Sequence, residues 1–533
     1  MQNKQDFKQK IFRLHTSLGI TFALFMYISV FFGIFAILLP YIQTWEKPSR
    51  HFMIIDNAKI NYSSMIDKVL EDPNFPRNNV IITLPGVMQD PALKISHRFA
   101  EPILFNPITE EKLQSEGKKS HLAVFLNEMH YGKPLDFKAE DFGKFFSIFG
   151  RALFGLIAVG IMAVVLSGLL LIIYMKFKNK RNSPKSFFSY YHIKVFTYTF
   201  PIFLIITLGG AFLNIGLITS SPMAKMLSSG EKTLDALVGP SLFPRSAPVK
   251  KHNIEATMLP IGELIKKAHE VNPDIIFQEL TLINWKDKSA QIEIKGYNPY
   301  RPFLNGVFFN KPKVILSAID GKLIKSIKVL DRSWSVYVAE ATLFLHFLFG
   351  VDLFTRIFIV FIMIASALAI ASGVMIFLEK KAKKFDSNIP FYHWMEKLSL
   401  TVILGVIPAT AMLFVLQWLL PFELEDRVLW QQGIFFNAWL FSLFWSFFRV
   451  NTYRAAKDFL AFGGVLFILV PILHNLSLNI SPIYLLENEM TNILGVDISL
   501  FILGITLIYL SKKLPKDRQN AKLFWIKKEK KNG

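Results

Sequence analysis

The chain has 533 residues and a mean hydropathy of +0.37, with 52% hydrophobic and 19% charged residues, against about 45–50% and about 25% in an ordinary soluble chain. It has no cysteine and a formal net charge of +20. That balance excludes intrinsic disorder. The missing thiol excludes a disulfide scaffold, thiolate zinc or iron–sulfur sites and cysteine catalysis, and a polytopic α-helical membrane protein is left as the fold class.

A bilayer core takes about 20 consecutive mostly apolar residues. In chain order the candidates are Leu18–Leu39, Ala152–Met175, Val195–Ile218, Ile357–Leu378, Leu398–Leu420, Gly433–Phe448, Phe459–His474 and Ile498–Leu510, about eight transmembrane helices. The first is too long for a signal-peptide core and lacks a small-x-small cleavage site, so it is read as a retained helix. The chain then divides into a first helix (1–40), a large segment (41–149), helices two and three (150–220), a second large segment (221–337), helix four (338–380), helices five to eight (381–511) and a basic tail (512–533).

Cytoplasmic flanks of membrane helices are rich in Lys and Arg. Lys4, Lys8, Lys10 and Arg13 precede span one, and Lys176, Lys178, Lys180, Arg181, Lys185 and Lys194 follow span two. Lys380, Lys381, Lys383, Lys384 and Lys397 lie between spans four and five; Arg449, Arg454 and Lys457 follow span six. With the tail, these segments hold 27 of the 60 basic residues but 7 of the 40 acidic ones. The short loops between them are acidic, with Glu423, Glu425 and Asp426 in one and Glu487, Glu489 and Asp497 in the other. The positive charge is therefore a topology signal, and no nucleic-acid partner is expected. Both termini are assigned to the cytoplasm and both large segments to the outside.

The first 380 residues read as one unit written twice: helix, outside segment, helix. Arg13-Leu14-His15 opens span one and Tyr191-His192 opens span three. Each outside segment starts with a helix-like stretch, Ser63–Leu70 or Ile261–Glu270, and continues into β-prone runs, Val80–Leu84 in one and Ile275–Leu282 and Ala290–Lys295 in the other. The first ends at Ile103–Thr109. The second ends in a strand–turn–strand, Val314–Ile324, with Asp320-Gly321 at the turn. His130 precedes span two as His346 precedes span four, and those spans carry Ser167-Gly168 and Ser372-Gly373, where a missing side chain lets something approach the backbone.

Four of the eleven histidines thus occupy equivalent places: His15 and His192 on one side of the membrane, His130 and His346 on the other. An ionisable residue near the end of a membrane helix is costly and is a functional candidate. Neutral imidazole is an axial ligand for haem iron, and bis-histidine ligation is the simplest haem coordination a chain without cysteine offers. The bland alternative is that each histidine is an interfacial, hydrogen-bonded residue; fourfold recurrence favours the ligand reading. Arg151, Arg356 and Asp352 flank the outer ends of spans two and four. The arginines either pair with haem propionates or only anchor helix ends, and Lys194 has the same two readings. Trp45, Trp334 and Tyr337 fit an aromatic interface belt. His393 and His474 begin span five and end span seven, one on each face, and leave room for a further site. His51, His97, His121, His252 and His269 are expected to be solvated, with His51 or His121 free to contact substrate. No phosphate loop, dinucleotide fingerprint or H-E-x-x-H helix is found, so neither NAD(P)H nor ATP is expected to bind.

Arg13-Leu-His-Thr-Ser-Leu-Gly19, then His346-Phe-Leu-Phe-Gly350 with Arg356 and Ser372-Gly373, resemble the PepSY-associated transmembrane family over roughly residues 10–380. The outside segments resemble PepSY modules, a helix beside a small antiparallel sheet, and Ile319–Ile324 is similar to the module's closing hairpin. The resemblance implies two periplasmic α+β PepSY-like domains in a multi-pass protein of the bacterial inner membrane. It also implies two b-type haems, held at the positions of His15, His192, His130 and His346, and an oxidoreductase that passes electrons to a periplasmic ferric siderophore and releases Fe(II). The expected partners are the lipid bilayer, the ferric siderophore and an electron donor, either a quinol or a cytoplasmic reductase. Between His130 and span two lies a stretch, Lys133–Lys144, that the His346 half lacks, and the last four helices exceed the four-helix unit. The rival readings are an iron or siderophore transporter, against which Pro201 and Pro408 are not a matched pair of helix breaks, and a non-catalytic PepSY scaffold.

Overall fold

A computed structural model of the protein describes residues 2–136, 146–174, 183–230, 248–382, 390–449 and 451–517 with 233, 236 and 520, apart from 115, 117, 118, 302 and 306–310. Part of Lys133–Lys144, the basic residues 176–181, Lys383, Lys384 and most of the basic tail lie outside the described residues.

Helix α1 (Gln2–Ile37) leads directly into α2 (Leu39–Trp45). The first large segment holds α3 (Tyr62–Leu70), β1 (Val80–Thr83), β2 (Leu93–His97), β3 (Ala100–Phe105) and α4 (Leu122–His130). Next come α5 (Phe149–Tyr174) and α6 (Pro184–Ala211), the latter running through a π-turn, Phe212–Gly216, into α7 (Leu217–Leu227). The second large segment holds α8 (Ile261–Val271), β4 (Ile276–Ile283), β5 (Gln291–Tyr297), β6 (Lys313–Ser317), β7 (Leu323–Ile327) and α9 (Trp334–Phe347). Then follow α10 (Leu353–Ala382), α11 (Pro390–Leu400), a π-turn at Thr401–Gly405, α12 (Val406–Leu419), α13 (Arg427–Phe448), α14 (Thr452–Leu478), α15 (Pro482–Glu487) and α16 (Thr491–Lys513).

Seven helical runs among the described residues are long and apolar enough to cross a membrane: α1, α5, α6 with its π-turn, α10, α11 continued into α12, α14 and α16. The remaining expected span, α13, has 22 residues and so about 33 Å of length, but Arg427, Gln431, Gln432 and Asn437 make it less apolar than those seven. Local signals set several ends. Ser183 and Ser186 form a reciprocal capping box at the start of α6, with Pro184 in the first turn, where its missing N–H costs nothing. Asn451 caps α14 by accepting from the N–H groups of Tyr453 and Arg454.

The two large segments build one antiparallel sheet in the order β3-β2-β1-β4-β5-β6-β7. The join is β1 with β4, with Val80 opposite Leu282 and Thr83 opposite Glu279. Alternation along β5 sends Ile292 and Ile294 into the core, while Glu293 and Lys295 pair with each other at 3.0 Å on the other face. Ile261, Leu264, Ile265 and Ala268 recur at helical spacing on α8 and bury that face on the same core as Tyr62, Met65 and Ile66 of α3. The β6–β7 turn falls at Asp320-Gly321 as the sequence predicts, with Gly321 at φ +73°. Strand β2 and the helices α4 and α9 are additional to the elements read from the sequence.

Helix α1 packs on α5 and α10, and α6 packs on α10 and α5, which closes a four-helix group. Behind it α14 packs on α12 and α16. Gly464 and Gly504 let the α14 and α16 backbones touch, since a methyl on Gly464 would lie 2.7 Å from the Gly504 carbonyl oxygen. One apolar core runs through both groups and includes Phe32, Phe125, Phe414, Phe435 and Phe467.

Candidate functional site

His15 on α1 and His192 on α6 face each other with ring centres 6.2 Å apart, at the end of the helical group away from the sheet. His130 at the end of α4 and His346 near the end of α9 face each other at 5.9 Å, beneath the sheet. All four rings are held the same way. Nδ1–H donates to a helix carbonyl: His15 to Val164 at 3.0 Å, His192 to Ala369 at 2.8 Å, His130 to Ser29 at 2.7 Å and His346 to Ile206 at 2.8 Å. That bond fixes the tautomer and leaves the lone pair on Nε2.

Each accepting carbonyl has a glycine four residues further along the same helix: Gly168, Gly373, Gly33 and Gly210. The Cα–Cβ bond of a helical residue tilts toward the N-terminus, so a side chain at that position would lie over the carbonyl below it. A methyl on Gly168 would sit 3.0 Å from Cε1 of His15, one on Gly373 3.1 Å from Cε1 of His192, one on Gly33 3.0 Å from Nδ1 of His130, and one on Gly210 3.2 Å from Cε1 of His346. The glycines are the docking surface of the rings. The sequence marks Gly168 and Gly373 as points of close approach; Gly33 and Gly210 are the two it leaves unmarked.

Ring separation carries chemical information. Two imidazoles on opposite sides of one metal ion, each bonded at about 2 Å, hold their ring centres roughly 6 Å apart, whereas a tetrahedral angle brings them to roughly 5 Å. Both pairs have the wider spacing. Among the described residues no group of three or more His, Asp or Glu side chains gathers to hold a metal ion. Each pair therefore offers two nitrogen donors and no more. The pair under the sheet borders a cavity of about 450 Å³, which is also lined by Arg151, Arg356, Phe154 and Phe203.

The family model for the PepSY-associated TM region matches residues 12–380. The chain belongs to the PepSY-associated TM family. No curated protein compared with it matches. All four paired histidines and all four docking glycines lie inside the matched region, and the helices from α11 onward lie outside it.

Within the family unit the two arginines expected to bind cofactor both line the cavity. Arg356 donates to the carbonyls of Ile37, Leu348 and Val351 at 2.6, 2.7 and 3.2 Å and so ties the end of α1 to the turn before α10. Arg151 pairs with Asp136 at 2.7 Å and donates to the Ser147 carbonyl at 3.0 Å. Lys194 donates to the Tyr190 hydroxyl at 3.0 Å. His121, read as solvated or substrate-facing, lies 3.7 Å from Glu128. Burial raises the Glu128 carboxyl, but the bonds from His121 and Lys133 outweigh it and hold the group below the usual carboxylate range.

Two readings change. Trp45 is wholly buried instead of lying in an interface belt, because its indole N–H finds Asp497 at 2.9 Å. Trp334 is exposed, as a belt residue would be. His51, expected to be solvated, has a buried Nδ1 and lies against His474 at 5.1 Å between ring centres, while His393 packs edge-on against Phe447. A polar seam joins the family unit to the C-terminal helices, and the sequence gives no signal for it. The Glu46 carbonyl accepts from Gln417 at 2.6 Å and from Ser120 at 2.9 Å, while Arg427 donates to the Lys119 carbonyl at 2.6 Å. Burial pushes the Glu46 carboxyl up to about 7.

Proposed function

We propose that the chain is a haem-containing membrane reductase that carries electrons across the bilayer to a ferric siderophore on the sheet side, where Fe(II) is released. One b-type haem would lie between His15 and His192 and a second between His130 and His346. The reading rests above all on the two pairs with ring centres 6.2 and 5.9 Å apart, each ring docked by Nδ1 on a glycine-cleared carbonyl. Two donors at that wide spacing suit a metal whose other ligands come from a macrocycle. A bound haem supplies reversible one-electron exchange.

The protein's own groups do the rest. The carbonyl bonds to Nδ1 orient each imidazole and raise the basicity of Nε2. His15 and Ser29, which anchor the two pairs on α1, are 14 residues apart in the chain, or about 21 Å along the helix. The pairs thus stand near opposite ends of one span. Arg356, whose hydrogen-bond partners are carbonyls, would give the sheet-side cavity positive charge for carboxylate substituents, and Arg151, paired with Asp136, lines the same cavity. Reduction adds one electron to the chelated Fe(III), and the resulting Fe(II) binds hard oxygen donors less tightly. The electron comes from a quinol or a cytoplasmic reductase. The Lys- and Arg-rich loops support a cytoplasmic position for both termini and a bacterial inner membrane for the whole.

Purified protein, oxidised and then reduced with dithionite, tests the reading by its absorption spectrum and haem content. A Soret band with sharp reduced α and β bands and close to two haems per chain is the expected result. A colourless protein from haem-replete cells would overturn it in favour of transport or scaffolding.

A further inference from the structure

Outside the two pairs, unsatisfied nitrogen atoms gather at one place where the family unit meets the C-terminal helices. His474 on α14 is fully buried, and its Nδ1–H donates to Asp497 Oδ2 at 2.8 Å. The other oxygen of Asp497 accepts from the Trp45 indole at 2.9 Å. The carboxylate thus puts the His474 lone pair on Nε2, which is buried and has no hydrogen-bond partner among the described residues. His51 mirrors this arrangement. Its Nε2–H donates to the Trp45 carbonyl at 3.1 Å, so its lone pair is on Nδ1, which is likewise buried and unpartnered.

Two imidazoles thus lie close together, each with one nitrogen committed to a hydrogen bond and the other buried and unpartnered. Leaving such acceptors bare is costly. Their ring centres are 5.1 Å apart and the rings are at 88°. That is the ring-centre spacing of two imidazoles bound to one ion at a tetrahedral angle, roughly 5 Å, and is clearly shorter than the roughly 6 Å of an opposed pair. A carboxylate on the far nitrogen of a ligating histidine is the usual outer partner of a metal ligand, and Asp497 stands there. The Trp418 indole ring lies 4.4 Å from His474, and its N–H is also buried and unpartnered. It is a donor only, suited to the oxygen of a water on the ion.

We propose that His51 and His474 form a binding site for a first-row divalent cation of tetrahedral preference, zinc fitting best, with Asp497 positioning His474 and water completing the coordination. The ion would clip the segment after α2 to α14 and α16, joining the family unit to the helices beyond it.

The test is metal analysis of untagged full-length protein after dialysis against zinc, with zinc and haem both counted, followed by zinc-edge X-ray absorption. About one zinc per chain, with two imidazole nitrogens at about 2.0–2.1 Å, is expected. His51→Ala and His474→Ala should each reduce bound zinc at least fivefold while haem content stays at the wild-type value, and Asp497→Asn should weaken zinc binding about 10–100-fold. His51→Ala alters a loop residue, so it carries the test if His474→Ala fails to fold. Zinc that is absent from the wild type, or present equally in both histidine variants, overturns the site and leaves a buried water bridging the two rings.

Discussion

The two facing pairs obey one docking rule but are built differently. His15 and His192 project from long membrane helices, α1 and α6, and the packing of both on α5 and α10 within the four-helix group brings them together. His130 and His346 end short helices, α4 and α9, that enter the bundle from the sheet side. Helix α4 in turn leans on the C-terminal group: Phe125 packs on Phe435 at 5.4 Å, and Ser120 is held by Glu46 and Gln417. A pair set by continuous helices needs little beyond the four-helix unit, whereas a pair set by inserted helices depends on whatever braces them. That difference gives the last four helices a structural task.

The largest effects should come from the ligands. His130→Ala or His346→Ala should lower haem from about two to about one per chain and cut chelate reduction by at least about 100-fold, because the sheet-side pair is the exit. His15→Ala or His192→Ala should remove the other haem and leave the exit unable to refill. Unchanged stoichiometry in all four would break the comparison at its root.

The glycines come next. Gly168→Leu should empty only the pair of His15, and Gly33→Leu only the pair of His130, since the new side chain occupies space now within 3.0 Å of each ring. Haem counts and reduced spectra of the two variants would show whether the docking rule serves both pairs equally.

Arg427→Ala tests the brace. It removes donors to the Lys119 and Gln417 carbonyls in a buried seam and should cost about 2–4 kcal/mol. The loss should appear as a lower apparent melting temperature and weaker haem retention at the sheet-side pair alone. Equal weakening of both pairs would contradict the division of labour.

An effect of similar size, spread over several pH units, is a pH dependence. The Glu46 carboxyl lies at about 7 in the folded protein against 4.5 for the free group, so between those values the folded state holds a proton that the unfolded state has lost. Its stabilisation is complete below about pH 4.5 and fades as pH rises through 7, on the order of 3 kcal/mol in all. Apparent melting temperature should fall from pH 5 to pH 8, and Glu46→Gln should flatten that fall.

The membrane class, the order of the spans, the twofold repeat and the four equivalent histidines were all legible in the sequence, because each rests on hydropathy or on recurrence along the chain. Gly168 and Gly373 were legible for the same reason: they follow a serine at matching places in spans two and four. Gly33 and Gly210 were not, since a glycine inside an apolar helix gives no sign of what rests on it. Strand β2 was missed because its polar edge residues, Lys94, Ser96 and His97, dilute the apolar signal. Trp45 looked interfacial because an aromatic residue at the end of a span usually is, and its indole partner is 452 residues away in the chain.

Periodicity and composition act over a few turns of chain, and that range suffices to decide which segments enter a membrane and which residues recur. It cannot decide what meets across a fold. The pairing of β1 with β4 into one sheet, the approach of His51 to His474 and the seam from Glu46 to Arg427 all join segments about 200 or more residues apart. Their geometry was decided only by tertiary packing, because buried donors and acceptors find partners wherever the packed helices bring them.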